Sequence, residues 1–197
     1  MPAGFKYDLK PIEKTMPELC RFETVYRLSG GFNLDTTNLT GIDKIPPMTP
    51  LVIDFKTRTA KAVVNVEVYE KYTTGTSMKI KKGSLAYVNM FIGDGTNGAK
   101  VTKIDKSNAE YDTLTLGAAF GTSVTVNAGT VLFEASAQEG TEVKASANAL
   151  NYAWTKVEAG ATVTAIGRAY EIRTSKLLVP VSDKDKESLG DRFMFTY

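Results

Sequence analysis

A short phrase recurs along the chain: a glycine, a small or hydroxyl-bearing residue, and then a run that is rich in apolar residues. Its copies are residues 82–85 (KGSL), 128–132 (AGTVL) and 159–163 (AGATV), and residues 48–51 (MTPL) are a glycine-free relative. Glycine adopts the positive φ of a tight turn, whereas Val, Leu and Thr suit a pleated, half-buried surface. Each copy therefore predicts a turn that leads into a strand, and the chain is predicted to be mainly β.

The residue types that are present restrict the chemistry of the chain. Its 197 residues contain no histidine and a single cysteine, Cys20. Without histidine, neither a Ser-His-Asp triad nor a histidine-ligated metal site can form. Cys20 has no partner for an intrachain disulfide, and we interpret it as a small buried thiol of a reducing compartment. We predict no enzyme activity, no catalytic residue, no metal and no cofactor.

Paired carboxylates are the remaining route to catalysis, because a glycosidase needs only two acidic side chains. The candidate pairs are Asp54 with Glu67 or Glu70, and Asp94 with Asp112. Acidic residues on strands and turns usually serve as solubilising charges. An enzyme that relies on carboxylates is therefore the last of the alternatives.

Residues 93–98 (GDGTNG) form the densest turn signal in the chain. Asp94 and Asn97 supply oxygen atoms that suit Ca²⁺, but the spacing is not that of a calcium-binding helix-loop-helix motif. Glycine, Asn and Asp together are typical of a hairpin turn. We interpret the segment as a turn, and the sequence leaves open whether it also holds a cation.

Charge and hydropathy exclude two kinds of partner. The formal net charge is +2, and charges of both signs are spread along the chain, so we predict no nucleic-acid partner. The longest apolar stretch without charge, residues 114–133, is broken by glycines, so we predict no membrane partner. The N-terminus lacks the pattern of a secretory signal, which predicts synthesis and retention in a cytoplasm.

The chain divides into three predicted parts: an N-terminal arm with one strand (residues 1–47), a β-rich body (48–181), and a C-terminal helix and tail (182–197). In the arm, residues 22–28 (FETVYRL) alternate as in a half-buried strand, with Phe22, Thr24, Tyr26 and Leu28 on one face. That strand is expected to join a neighbouring chain or the sheet of its own chain.

Within the body, residues 50–55 and 60–70 flank a polar loop and predict a hairpin. Residues 145–154 are small and polar, and they predict either a short helix or a loop. At the tail, Ser182 is placed to cap a helix whose first turn contains Asp183 and Asp185. The predicted fold is an antiparallel β-sandwich or barrel-like domain with an extended N-terminal arm and a short C-terminal helix.

Both ends of the chain are rich in large apolar side chains, which predicts that they are buried against the body or a partner subunit. The N-terminal set, predicted to dock on a capsid or another partner, is Phe5, Tyr7, Leu9, Ile12, Leu19 and Phe22. The C-terminal set, predicted to form an oligomer contact or to dock on the body, is Phe193, Phe195 and Tyr197.

Residues 48–54 (MTPLVID), the turn at 81–84 (KKGS) and residues 126–132 (VNAGTVL) resemble the Gly-Thr strands of a phage protein family. The family comprises head fibre and capsid decoration proteins of tailed bacteriophages, including crAss-like phages of gut bacteria. The similarity extends over about residues 45–181. It implies a small β-rich structural protein, without enzyme activity, that attaches to the outer surface of an icosahedral head through a terminal arm.

The resemblance sets the first functional hypothesis. The protein is expected to be assembled in the host cytoplasm and to reside on the capsid surface of the virion. Its expected partners are the major capsid protein and further copies of itself, as a homodimer or homotrimer. The alternative is an extracellular carbohydrate-binding or adhesive β module, which would require Trp154, Tyr152 or Tyr87 to be exposed on one face.

Overall fold

The computed structural model describes residues 18–197, which fold into sixteen strands and one α-helix. The helix, α1 (Asp183–Leu189), lies close to the end of the chain, and single 3-10 turns occupy Thr174–Lys176 and Gly190–Arg192. The mainly β prediction is confirmed. The strands are β1 (Arg21–Arg27), β2 (Phe32–Asp35), β3 (Lys44–Ile45), β4 (Pro50–Asp54), β5 (Thr59–Ala62), β6 (Asn65–Glu67), β7 (Ser77–Lys81), β8 (Phe91–Gly93), β9 (Gly98–Asp105), β10 (Tyr111–Leu116), β11 (Val131–Ala135), β12 (Ala149–Asn151), β13 (Thr155–Lys156), β14 (Thr162–Val163), β15 (Ala165–Arg173) and β16 (Phe193–Thr196).

The larger sheet has eight strands in the order β1-β15-β12-β4-β5-β2-β14, with β16 also paired to β15. Most neighbours are antiparallel, but β2 with β5 and β15 with β16 are parallel. The predicted hairpin is present, because β4 and β5 pair from Leu51 opposite Ala62 to Asp54 opposite Thr59. Strands β3 and β13 form a separate two-stranded sheet.

The second sheet contains six antiparallel strands in the order β6-β11-β8-β9-β10-β7. Its first and last strands also meet, since Val68 bridges Ile80 and the Tyr69 amide donates to the Lys79 carbonyl at 2.9 Å. The six strands thus close into a barrel-like ring. Inward side chains such as Val68 and Ile80 are fully buried.

The chain crosses between the two sheets within a segment that the sequence presents as one continuous strand. Residues 60–70 divide into β5 of the eight-stranded sheet and β6 of the ring, joined by the buried Val63 and Val64. Apolar side chains from both sheets form one large core cluster, in which Leu51 and Ile53 represent one sheet and Ile92 and Leu114 the other. The predicted sandwich or barrel-like architecture is confirmed.

A second core cluster covers the other face of the larger sheet. It joins Leu150 of β12 and Ile166 of β15 to Leu189 of the helix and Phe193 of β16. Helix α1 begins as predicted, because the Ser182 hydroxyl accepts a hydrogen bond from the Asp185 amide. The short C-terminal helix is therefore confirmed together with its cap.

Two local expectations differ from the structure. Residues 145–154 were predicted as a short helix or a loop, but they contain strand β12. Leu150 of β12 pairs with Pro50 on one side and with Ile166 on the other. Pairing on both sides outweighs the helix propensity of the alanines.

Residues 18–47 contain three strands, β1 to β3, rather than one, and β1 and β2 belong to the eight-stranded sheet. Strands of two to four residues are too short for a periodic signal.

Candidate docking surface

Among the described residues, the predicted docking residues from the two ends of the chain lie in or next to the two strands that flank β15. Strand β1 pairs with β15 from Arg21 opposite Tyr170 to Arg27 opposite Ile166. Strand β16 pairs with the same strand in parallel, with Phe193 opposite Ala169. We call β1, β15 and β16 together the terminal-strand surface. Both ends of the described chain are thereby tied to one edge region of the larger sheet.

In the N-terminal set, one side chain is packed and one is exposed. Leu19 is half-buried against the second core cluster, and its carbonyl accepts a hydrogen bond of 2.9 Å from the Arg173 amide. Phe22 is 52% exposed. Leu19 thus anchors the entry to β1, whereas Phe22 is available to another molecule. The predicted docking residues Phe5, Tyr7, Leu9 and Ile12 lie outside the described residues.

The C-terminal set shows the same division. Phe193 is buried in the second core cluster, and Phe195 is partly buried against it. Tyr197 is fully exposed. Phe193 therefore serves the core of its own chain, and Tyr197 is the member of the set that is free to meet a partner.

Strand β1 is irregular, and the irregularity changes which side chains are exposed. Its register with β15 shifts between Arg21 and Tyr26, where the Thr24 hydroxyl donates to the Arg21 carbonyl at 2.6 Å. The same hydroxyl accepts from the Tyr170 amide at 2.9 Å. Bulges of this kind re-aim side chains. The expectation of a half-buried face with Phe22 and Tyr26 was wrong, since these are 52% and 58% exposed.

The outer edge of β1 is an unpaired sheet edge within residues 18–197, because β1 is the terminal strand of its sheet. Such an edge can pair with an extended segment of another chain. Surface ion pairs flank it: Arg21 lies 3.4 Å from Glu171, and Arg173 lies 3.8 Å from Glu18. Exposed pairs like these stabilise the fold by less than about 1 kcal/mol and limit non-specific edge pairing.

The free thiol of Cys20 lies directly before β1 and is buried. Burial, with a smaller contribution from the Glu18 carboxylate, raises the pKa of Cys20 from 9.0 to about 11. A pKa about two units higher leaves roughly a hundredfold less thiolate at pH 8 than an ordinary thiol has. The thiol therefore has the inert, structural character that the sequence predicts.

We expect Cys20 of the native protein to react with a thiol-specific chromogenic disulfide at pH 8 at least about a hundredfold more slowly than the same protein unfolded in urea. The unfolded thiol ionises near pH 9 while the folded one stays protonated, so the native state should lose stability as the pH rises above about 9. Equal reaction rates before and after unfolding would show that the thiol is not buried.

The carboxylates considered for catalysis serve turns and ion pairs. Asp54 accepts hydrogen bonds from the Lys56 and Thr57 amides, and these amides, that of Thr57 first, lower the pKa of its carboxyl. The other acids meet lysines: Glu67 with Lys81 at 3.1 Å, Glu70 with Lys79 at 2.7 Å, and Asp112 with Lys82 at 2.8 Å. Each of these acids therefore has a structural role.

The 93–98 segment is a hairpin turn between β8 and β9, as predicted. Asp94 Oδ1 accepts from the amides of Thr96 and Asn97 at 2.8 and 2.7 Å, so local backbone donors occupy it. In the part of the chain that the structure describes, no group of three or more acidic or cysteine side chains is placed to hold a metal ion.

The three aromatic residues of the alternative hypothesis differ in their surroundings. Tyr87 is half-buried in contact with Glu134, and burial raises the pKa of its phenol. Tyr152 packs against the second core cluster under the Arg27 guanidinium. Trp154 alone is well exposed, at 48%, beside a cavity of about 300 Å³ lined by Thr155, Thr162 and Thr164. Trp154 is thus the one exposed aromatic platform of the three.

Two of the most exposed aromatic side chains, Tyr26 and Phe55, were not predicted as docking residues. Tyr26 was assigned to a half-buried face, and Phe55 closes the predicted strand 50–55 but is 60% exposed. A large apolar residue directly before a polar loop is the only local signal for Phe55.

Of the helices within residues 18–197, none has the length and apolar character needed to span a membrane.

Comparison with known proteins gives one match. A protein-family model described as "Head fiber protein" matches residues 5–194, which include every strand of the ring and every strand of the larger sheet except the second half of β16. No curated protein and no solved structure matches the chain significantly. The family match extends over both predicted docking sets except Phe195 and Tyr197.

Proposed function

Because the chain belongs to the head fibre protein family of phages, and is therefore a virion structural protein, we propose that it attaches to the outer surface of the capsid through its N-terminal segment and the terminal-strand surface. The observation that carries the proposal is the unpaired outer edge of β1 next to the exposed Phe22. Assembly takes place in the host cytoplasm, and the family role is structural rather than catalytic.

The proposed partner is the major capsid protein. An extended segment of the shell pairs with the outer edge of β1, so that backbone hydrogen bonds give affinity and alternate side chains fix the register. Phe22 enters an apolar pocket of the shell, and burial of its exposed half contributes on the order of 1 kcal/mol. Leu19 holds the start of β1 against its own core. Phe5, Tyr7, Leu9 and Ile12 extend the contact over the shell.

Copies of the chain associate with one another through the C-terminal part of the terminal-strand surface. Tyr197 is fully exposed and Met194 is 46% exposed, and both flank the partly buried Phe195. A homodimer or a homotrimer places two or three N-terminal segments on one head. Such multivalent attachment strengthens binding without any new contact between a single copy and the shell.

A binding assay with purified full-length protein and heads that lack it tests the proposal. We expect Phe22→Ser to weaken attachment about tenfold, because an aromatic anchor is lost from the contact. A combined Phe5→Ser, Tyr7→Ser, Leu9→Ser and Ile12→Ser variant should no longer cosediment with heads. Trp154→Ser removes an exposed aromatic residue elsewhere and is the matched control, with no expected effect.

Two results would contradict head attachment through this surface: undiminished binding by Phe22→Ser and by the combined variant, or loss of binding by Trp154→Ser alone. The second result would place the head contact on the Trp154 side of the sheet. The other candidate function is an adhesive or carbohydrate-binding module. The cavity beside Trp154, with its three threonine hydroxyls, is the observation that supports that candidate.

A further inference from the structure

A shallow groove of about 460 Å³ opens on the larger sheet at the C-terminal end of β1. Five separate parts of the chain form it: the end of β1, the residue after β4, the residue before β12, strand β15, and the 3-10 turn that precedes β16. Its walls are more apolar than polar. The lining residues are Tyr26, Leu28, Phe55, Asn148, Gly167, Arg168 and Arg192.

The floor of the groove depends on Gly167. A Cβ atom at this position would lie 3.0 Å from Leu28 Cδ2 and 3.5 Å from Tyr26 Cδ1, so both side chains lie directly over the glycine. Phe55 forms the opposite wall, where it packs edge-on against the buried Phe32 with ring centroids 5.7 Å apart. The two exposed aromatic rings are therefore supported from beneath.

Two guanidinium groups give the groove a positive charge. Arg192 is held in place, because it donates to the carbonyls of Asn148 at 3.2 Å and Gly167 at 3.5 Å. Arg168 is exposed on β15. Neither arginine forms an ion pair with a carboxylate of residues 18–197, and no acidic side chain lines the groove. Within residues 18–197, the positive charge is thus uncompensated.

We propose that this groove binds an acidic peptide segment of a partner protein. An Asp or Glu carboxylate of the peptide meets Arg168 and Arg192, whose planar, forked donors match a carboxylate. A neighbouring apolar side chain of the peptide packs between Tyr26 and Phe55. Charge complementarity and the apolar walls together define this occupant.

The structure favours a peptide over an acidic saccharide or a nucleic acid. The Asn148 amide is already used, since its Oδ1 accepts from the Ile53 amide at 2.8 Å and its Nδ2 donates to the Ile53 carbonyl at 2.9 Å. Few acceptors remain for sugar hydroxyls. The groove also lies at the end of an edge strand, where a peptide backbone can extend the sheet and neither of the other ligands can.

The groove shares β1 and β15 with the terminal-strand surface, but its lining differs from the side chains that we propose for head attachment. None of Leu19, Phe22, Phe193, Phe195 and Tyr197 lines the groove. Peptide binding can therefore be measured on the isolated full-length protein without heads. The result does not depend on whether the protein attaches to the capsid as proposed.

Fluorescence anisotropy with a labelled peptide, Gly-Ser-Phe-Asp-Glu-Ile-Ser-Gly, tests the proposal against its neutral counterpart with Asn and Gln in place of Asp and Glu. We expect the acidic peptide to bind at least about tenfold more tightly, and its affinity to fall as salt is raised. Arg168→Gln and Tyr26→Ser should each weaken it about fivefold to tenfold. Lys103→Gln, an exposed charge on the ring, is the matched control and should have no effect.

Arg168 and Tyr26 are exposed, so their variants should keep the wild-type thermal midpoint, which excludes unfolding as the cause. Equal affinity for the acidic and the neutral peptide would overturn the proposal. The same holds if Arg168→Gln binds as tightly as Lys103→Gln. Stronger displacement of the probe by sialyllactose or by a thymidine dodecamer than by unlabelled acidic peptide would also overturn it, and would assign the groove to that ligand.

Discussion

Replacement of Asp185 by alanine should lower the free energy of unfolding by about 3–5 kcal/mol, among the largest effects expected for a single substitution in this chain. The Asp185 carboxylate is buried where helix α1 meets the rest of the fold. It accepts hydrogen bonds from Asn65 Nδ2 at 2.7 Å, from the Ser182 hydroxyl at 2.6 Å and from the Ala147 amide at 2.9 Å.

Alanine at position 185 would leave the Ser182 hydroxyl and the Ala147 amide without an acceptor, and would leave Asn65 Nδ2 with the Pro180 carbonyl alone. Each unsatisfied buried donor costs about 1–3 kcal/mol. The three donors come from β6 of the ring, the helix cap and the segment before β12. The carboxylate therefore links both sheets to the C-terminal helix. Its loss should also loosen β16, which follows the helix after a single 3-10 turn.

Urea unfolding followed by circular dichroism measures the change. Asp183→Ala is the matched control, because Asp183 lies on the same helix with a 91% exposed side chain that forms a surface ion pair with Lys186. That control should cost about 0.5 kcal/mol or less. Similar midpoints for the two variants would show that the buried network does not tie the helix to the fold.

Replacement of Gly140 by alanine should cost at least about 3 kcal/mol of stability, because the site lacks both room and a suitable backbone conformation for a side chain. Gly140 has a φ of +70°, and a Cβ atom there would lie 2.2 Å from the Asn97 carbonyl oxygen and 2.5 Å from Gly98 Cα. The obstructing atoms are backbone, so they cannot move aside as a flexible side chain would.

The close approach fixes the 93–98 turn. The Gly95 amide donates to the Gly140 carbonyl at 3.0 Å, so the β8–β9 hairpin rests on the loop that follows β11. Gly129→Ala separates the two causes, since Gly129 has a φ of +82° and no atom within 4 Å of the Cβ position. Thermal unfolding should show a loss of about 1–2 kcal/mol for Gly129→Ala and clearly more for Gly140→Ala. Equal losses would mean that backbone strain alone acts at Gly140.

The sequence carries the local features of the fold well because these depend on neighbouring residues. The 93–98 turn, the β4–β5 hairpin and the Ser182 cap are each set by a few adjacent side chains. The pairing of strands that are distant in the chain is not predicted in this way. Val63 and Val64 look like the middle of one strand, and only the closure of the ring shows that they carry the chain from one sheet to the other.

The same limit applies to the docking surface. The sequence identifies Phe22 and Tyr197 as terminal aromatic residues, and both are exposed. It cannot show that Phe193 belongs to the core, because its neighbours Leu150 and Ile166 are distant in the chain. The groove between Tyr26 and Phe55 is also beyond sequence reasoning, since its arginines come from two further segments.

Electron cryo-microscopy of purified virions tests the central claim most directly, namely that this head fibre protein is held on the shell through the terminal-strand surface. We predict density for the β body on the outer surface of the capsid, with the β1 edge and Phe22 against the shell. The β14 side of the sheet, next to Trp154, should point away from it. A body bound with the Trp154 side toward the shell, or virions that lack the protein altogether, would contradict the account.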